Sequence, residues 1–163
     1  MKRILISITL ASLAILLAFT SCKKDEDKDI DLTLTTATIT GKVWAQLVDT
    51  NVFTANEYEY APTSVKIIAV YNTQDLVDDP AANYTYQDKT VETNVGSDGT
   101  YTLSIPARGK NVNVTLKAQD FIYDRLIWDT YPTSTKTERT IYQTADKFTT
   151  VVAGDVKVID FYY

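Results

Sequence analysis

The chain contains no histidine and a single cysteine among its 163 residues. Without imidazole there is no Ser-His-Asp or Cys-His nucleophilic system and none of the usual zinc sites, so only carboxylates or a lysine remain as acid–base groups. One cysteine excludes an internal disulfide, and stability has to come from packing. The five glycines are scattered, with no run that could cradle a phosphate. Basic residues are outnumbered, 16 against 21 acidic ones. With no Lys/Arg-rich helix and no aromatic-basic interleaving, the composition argues against a nucleic-acid partner.

What is present begins with an address. Lys2 and Arg3 precede an apolar run from Ile4 to Phe19 that is interrupted only by Ser7, Thr9 and Ser12, the make-up of an export signal. Thr20-Ser21-Cys22 and the polar stretch Lys23 to Asp29 follow. This junction resembles the lipobox of signal-peptidase-II substrates, in which small residues precede the cysteine that becomes the lipidated N-terminus; Phe19 stands where leucine is usual. The resemblance implies a signal peptide over 1–21, a lipid on Cys22 and a charged tether over 22–35. Acyl chains, at about 0.8 kcal/mol per buried CH₂, then hold the domain to a membrane with no spanning segment. Lys-Lys-Asp-Glu-Asp after Cys22 is similar to the export signal of surface-displayed lipoproteins of the Bacteroidetes group, which implies lipid anchoring in the outer membrane and exposure at the cell surface. On charge pattern alone the same run reads as a solvated tether. Removing 1–21 takes away two of the 16 basic residues and none of the 21 acidic ones, leaving 14 against 21 and a net charge of −7.

From about residue 36 to 163 the pattern is that of one all-β domain. Ala37, Ile39, Gly41, Val43, Ala45 and Leu47 alternate with polar residues, as in a half-buried strand, and the alternation puts Trp44 on the polar face. Ser64 to Tyr71 reads as a strand that is apolar on both faces from Ile67 to Val70, which marks an interior strand. Asn72 to Asp88 reads as an insertion, with a helical turn near 78–83 and a brief edge strand at 84–86. Val91, Thr93 and Val95, then Tyr101, Leu103 and Ile105, flank Gly96-Ser97-Asp98-Gly99; this is expected to be a β-hairpin closed by Pro106. Val112, Val114, Leu116 and Ala118 form a further strand, with a bulge expected around 119–121. After a loop over 128–137, strands are expected at 138–144 and 147–152, and the Gly154-Asp155 turn leads into a last one at 156–163. Seven or eight short strands without a convincing helix mean a sandwich or barrel.

Thr38-Ile-Thr-Gly-Lys-Val43, Pro62 before Ser64-Val-Lys-Ile-Ile-Ala-Val70, and Ser97-Asp-Gly-Thr-Tyr-Thr-Leu-Ser-Ile-Pro106 together resemble the carboxypeptidase regulatory-like domain. That family is a prealbumin-like, Ig-like β-sandwich common in Bacteroidetes surface proteins. The resemblance implies the fold; the motif residues build strands and turns and carry no catalysis.

No catalytic residue, metal site or cofactor is assigned. Asp124 with Asp129, and Asp75 with Asp78 and Asp79, are the nearest carboxylate groups, and the second lacks the spacing of a calcium loop. Aromatic residues stand out more. Trp44, Tyr58, Tyr60, Tyr84, Tyr86, Trp128 and Tyr131 fall in loops or on faces that the alternation keeps out of the core, where they suit a protein interface or sugar stacking. They also suit burial under folded-back loops. The expected function is a non-catalytic binding or assembly module of an outer-membrane complex, partnered by the membrane through Cys22 and by an outer-membrane protein. Glycan capture is the alternative, and a carboxylate hydrolase the third reading. A protein site would show an apolar patch beside an unpaired strand edge, and a glycan site parallel rings with Asp or Asn nearby.

Overall fold

The computed structural model describes residues 35–49, 58–130 and 133–163, so Cys22, the signal segment and the tether up to residue 34 lie outside the described residues. The strands are β1 (Thr35–Ala45), β2 (Val48–Asp49), β3 (Glu59–Tyr60), β4 (Lys66–Asn72), β5 (Asp88–Asn94), β6 (Thr100–Ala107), β7 (Val112–Ala118), β8 (Phe121–Thr130), β9 (Ser134–Tyr142), β10 (Lys147–Val151), β11 (Val156–Val158) and β12 (Phe161–Tyr162). Eight of them have five or more residues, as the alternation implies, and a 3-10 turn spans Thr73–Leu76.

Two sheets enclose the core. In one, β1 is central, with β6 and β3 antiparallel on one side and β11 and β12 parallel on the other. The second is antiparallel in the order β10-β7-β4-β5. Alternate residues of each strand meet in the middle: Ile39 and Val43 of β1, Leu103 and Ile105 of β6, Ile67 of β4, Leu116 of β7 and Phe161 of β12 are all at most 1% exposed. Each such side chain contributes about 1.5–3 kcal/mol on burial. The fold is an all-β sandwich. β4 is interior, as its sequence implies, but the outer face of its sheet lies open, with Ile68 and Val70 half-buried among threonines and charged neighbours.

The expected hairpin is instead an arch. Gly96 to Gly99 make the turn: Gly99 sits at φ 74°, its N–H donates to Gly96 O at 3.0 Å, and the Asp98 carboxylate accepts from the Thr100 hydroxyl and N–H at 2.6 and 3.1 Å. The Thr100 hydroxyl, then its N–H, holds the Asp98 carboxyl below its ordinary range. Yet β5 pairs with β4 and β6 pairs with β1, so the turn links opposite sheets. Two apolar faces aimed at one core are satisfied equally by a hairpin or by an arch, and local pattern cannot tell them apart. Pro106 does not end its strand; it lies opposite Thr36 inside β6, which pairs on one side only among the described strands and so tolerates a residue without an N–H.

Other boundaries shift. The short helical turn comes before Asp78, and residues 84–86 are not a strand. In place of a bulge at 119–121 the chain leaves one sheet and enters a third, where β8 and β9 form a long ribbon from the Phe121–Tyr142 pair to the Thr130–Ser134 pair, with its irregularity between Trp128 and Thr130. The expected loop over 128–137 is mostly ladder. β2 joins this ribbon only at Leu126 and Ile127.

Tyrosine hydroxyls tie the C-terminus down. Tyr101 donates to Ile159 O and Tyr163 to Gln119 O, both at 2.6 Å, while Tyr163 packs edge-on against Phe121, which stacks on Tyr142. Burial, reinforced by the nearby Asp160 and Asp120 respectively, raises the Tyr101 and Tyr163 phenols well above their ordinary value. Because the folded-state values are raised, their contribution is complete below about pH 10, the unfolded value, and is lost as pH rises above it. We expect the urea midpoint to hold to about pH 9.5 and fall steeply by about pH 11, less so in Tyr101→Phe. Equal midpoints at those two pH values would rule this out.

Candidate functional site

The period-2 alternation of β1 turns Lys42 and Trp44 to the outer face of the first sheet. Register then assembles the site. Trp44 lies opposite Tyr60 of β3 on one side and Tyr162 of β12 on the other. The Trp44 and Tyr60 ring centroids are 4.7 Å apart with planes tilted by 39°, and Tyr58 meets Tyr162 edge-on at 5.6 Å. The Lys42 ammonium sits 5.5 Å from the Trp44 centroid and 5.3 Å from that of Tyr60, a cation–π arrangement at both rings. Tyr58, Tyr60 and Tyr162 remain 43%, 39% and 52% exposed.

The arch supports this cluster from below. Gly99 O accepts from Val43 N at 2.9 Å, and a Cβ on Gly99 would fall 2.3 Å from Tyr60 Cδ1. Only a glycine lets the tyrosine ring lie over the turn.

The face continues along the C-terminal edge. Val156, Val158, Asp160 and Tyr162 follow one another on the outer side, beside Thr38, Thr40, Lys42 and Trp44 of β1. Val156 and Val158 are 69% and 72% exposed, and Asp160 accepts from the Lys42 N–H at 2.7 Å. Among the described strands β11 and β12 pair with β1 only, leaving their other backbone edge open. An exposed valine pair, an aromatic cluster and an open edge therefore adjoin.

The structure separates the remaining aromatics from this site. Tyr84 and Tyr86 contact each other at 4.8 Å beside a cleft of about 320 Å³ that Thr73 and Lys89 also line. Tyr86 Oη accepts from Ala81 N at 2.9 Å, which gives that ring a local structural role. Trp128 is on β8, half-buried, and Tyr131 lies outside the described residues. An open shelf of about 450 Å³ runs along Asn113, Thr115 and the 77%-exposed Phe148 on the outer face of the second sheet.

Three of the candidate carboxylates pair with a neighbouring side chain or backbone group, and a fourth lies across the ladder from an arginine. Asp75 accepts from the Asn113 N–H and side-chain amide at 2.8 and 3.1 Å, Asp78 faces Arg108 at 3.6 Å, Asp129 pairs with Lys136 at 3.3 Å, and Asp124 lies opposite Arg139. Among the described residues no group of three or more His, Cys, Asp or Glu side chains is placed to hold a metal ion.

No protein-family model and no curated protein sequence matches the chain. A solved structure similar to it is that of a variant of the shaft pilin SpaA from Lactobacillus rhamnosus GG, with a TM-score of 0.42 and 11% identity. The match covers 78% of this chain and 49% of the pilin chain, so this chain spans about half of that structure.

Sequence alternation thus placed Trp44 on the outer face, and Tyr58 and Tyr60 were singled out as aromatics in a stretch that lacks periodicity. It missed Lys42, Val156, Val158 and Tyr162, whose membership depends on pairing between β1 and the last two strands.

Proposed function

We propose that this protein is a non-catalytic cell-surface lipoprotein that docks another outer-membrane protein through the Trp44–Tyr162 face. The observation that carries this reading is the exposed row Val156, Val158 and Tyr162 on an open strand edge, continuous with Trp44, Tyr60 and Tyr58. An extended segment of a partner could add to the edge by backbone hydrogen bonds and place side chains against the aromatics. Rings tilted at 39° and 83° favour a protein surface over the coplanar platform that a sugar stacks on. The site is a face and not a cavity, which argues against a small buried ligand.

A lipid on Cys22, as in the Bacteroidetes-type lipoproteins that the N-terminus resembles, would hold the domain at the membrane where such a partner resides.

The test is cross-linking and pull-down of the full lipidated protein from intact cells. One stoichiometric outer-membrane protein is expected, with recovery reduced at least about tenfold by Trp44→Ala or Tyr162→Ala and unchanged by Tyr84→Ala. Recovery of the lipoprotein alone would defeat docking, and binding of the same variants to cell-surface polysaccharide would then be measured.

A further inference from the structure

The β8–β9 ribbon leaves one backbone edge open: among the described strands β9 pairs with β8 alone. Nine paired positions stand in a two-stranded ladder that β2 supports at only two, and a ribbon of two strands is marginal in water without a third. Natural proteins guard such an edge with proline, a bulge or isolated charges. β9, Ser134-Thr-Lys-Thr-Glu-Arg-Thr-Ile-Tyr142, has no proline and is rich in threonine, a good strand former. Its one lysine would ordinarily be the guard.

We propose that β9 pairs antiparallel with β9 of a second copy of this chain, across a two-fold axis at Thr137. A closed two-fold pairing of identical antiparallel strands places one residue opposite itself. With Lys136 or Glu138 at the axis, like charges would face each other. With Thr137 there, Lys136 lies opposite Glu138 of the second copy and the reciprocal pair repeats it, while Thr135 faces Arg139. The same side of the ribbon carries Arg125 opposite Glu138 within one copy. Glu138 would therefore stand between Arg125 of its own chain and Lys136 of the other. Charge balance points the same way: between Phe121 and Tyr142 three acidic residues (Asp124, Asp129, Glu138) meet three basic ones (Arg125, Lys136, Arg139), so the ribbon is neutral. Two copies of a net-acidic domain can approach there without local repulsion. The product is a four-stranded sheet, β8-β9-β9-β8, in which each ribbon supplies the support that the other lacks. This pairing uses neither Trp44 nor Tyr162 and does not depend on the docking proposal.

The test uses the full lipidated chain in cells. Thr137→Cys brings two cysteines face to face, within reach of a disulfide, whereas Thr140→Cys puts each opposite Ser134, about six residues from its counterpart and roughly 20 Å away. Under a mild oxidant, Thr137→Cys is expected to run as a covalent dimer on a non-reducing gel and Thr140→Cys as a monomer. Added to Thr137→Cys, Lys136→Glu or Glu138→Lys alone should cut the dimer at least about tenfold, and the two together should restore it. Equal cross-linking of the Thr137 and Thr140 variants, single reversals without effect, or a double reversal that fails to restore the dimer would each overturn the proposal.

Discussion

Gly41→Ala is expected to cost about 3 kcal/mol and to lower the melting temperature by roughly 10 °C. Elsewhere this exchange commonly stabilises a protein by about 0.4–1 kcal/mol, because alanine restricts the unfolded chain. Here the sign is reversed by one contact. A Cβ on Gly41 would lie 1.9 Å from the Ile159 carbonyl oxygen, 2.6 Å from its carbon and 3.0 Å from a Tyr101 ring atom. The first two are backbone atoms of the link between β11 and β12, so no rotamer change relieves the clash. Two hydrogen bonds hold that link in place, Ile159 N–H to Thr40 O at 2.8 Å and the Tyr101 hydroxyl to Ile159 O at 2.6 Å. Making room for a methyl group breaks at least one of them.

Gly109 supplies the control. A Cβ there meets nothing within 4 Å, so Gly109→Ala is expected to leave the melting temperature unchanged or slightly raised. A Gly41→Ala protein that melts within about 2 °C of the parent would show that the C-terminal link moves freely. The same substitution is expected to displace Tyr162 and the valine row, so under the docking proposal it should abolish partner capture even at temperatures where the domain stays folded.

Residue pattern reveals the faces of this fold better than its pairings. Alternation along β1 is enough to turn Trp44 outward, because a strand has only two faces and Ala37, Ile39, Val43 and Ala45 occupy the inner one. It cannot say that Tyr162 lies next to Trp44, because that register joins residues 118 positions apart. The arch between β5 and β6 was hidden for a related reason: Gly96 to Gly99 dictate a turn, while the choice of sheet for each strand is made by β4 and β1. In β11 the pattern misleads. Val156-Lys157-Val158 suggests valines inside and lysine outside, yet Lys157 lies opposite core-facing Ile39 and the valines are exposed. The burial of Phe161 opposite Val43 sets this register, and the valines take whichever face remains. That inversion produced the exposed row on which the proposed docking face rests.

Phe161→Ala is the second large effect, expected at about 3–5 kcal/mol. Phe161 is completely buried, first among the fully buried side chains by size, and lies 6.2 Å from the Tyr101 ring. β12 has two residues, and its pairing with β1 covers only Val43 and Trp44. So short a ladder cannot hold the C-terminus by itself; the Phe161 ring anchors it, helped by the Tyr163 N–H on Trp44 O at 2.9 Å. Truncation leaves a cavity beneath β1 and frees the edge that presents Tyr162. The adjacent Tyr162→Ala removes a ring that is 52% exposed and should cost less than about 1 kcal/mol. Neighbouring substitutions thus separate anchoring from docking: both variants should lose partner capture, and only Phe161→Ala should lose stability, read as a fall in the urea midpoint. If the two variants unfold at the same urea concentration, Phe161 is not the anchor and the C-terminal edge is held by the tyrosine hydrogen bonds at Ile159 and Gln119.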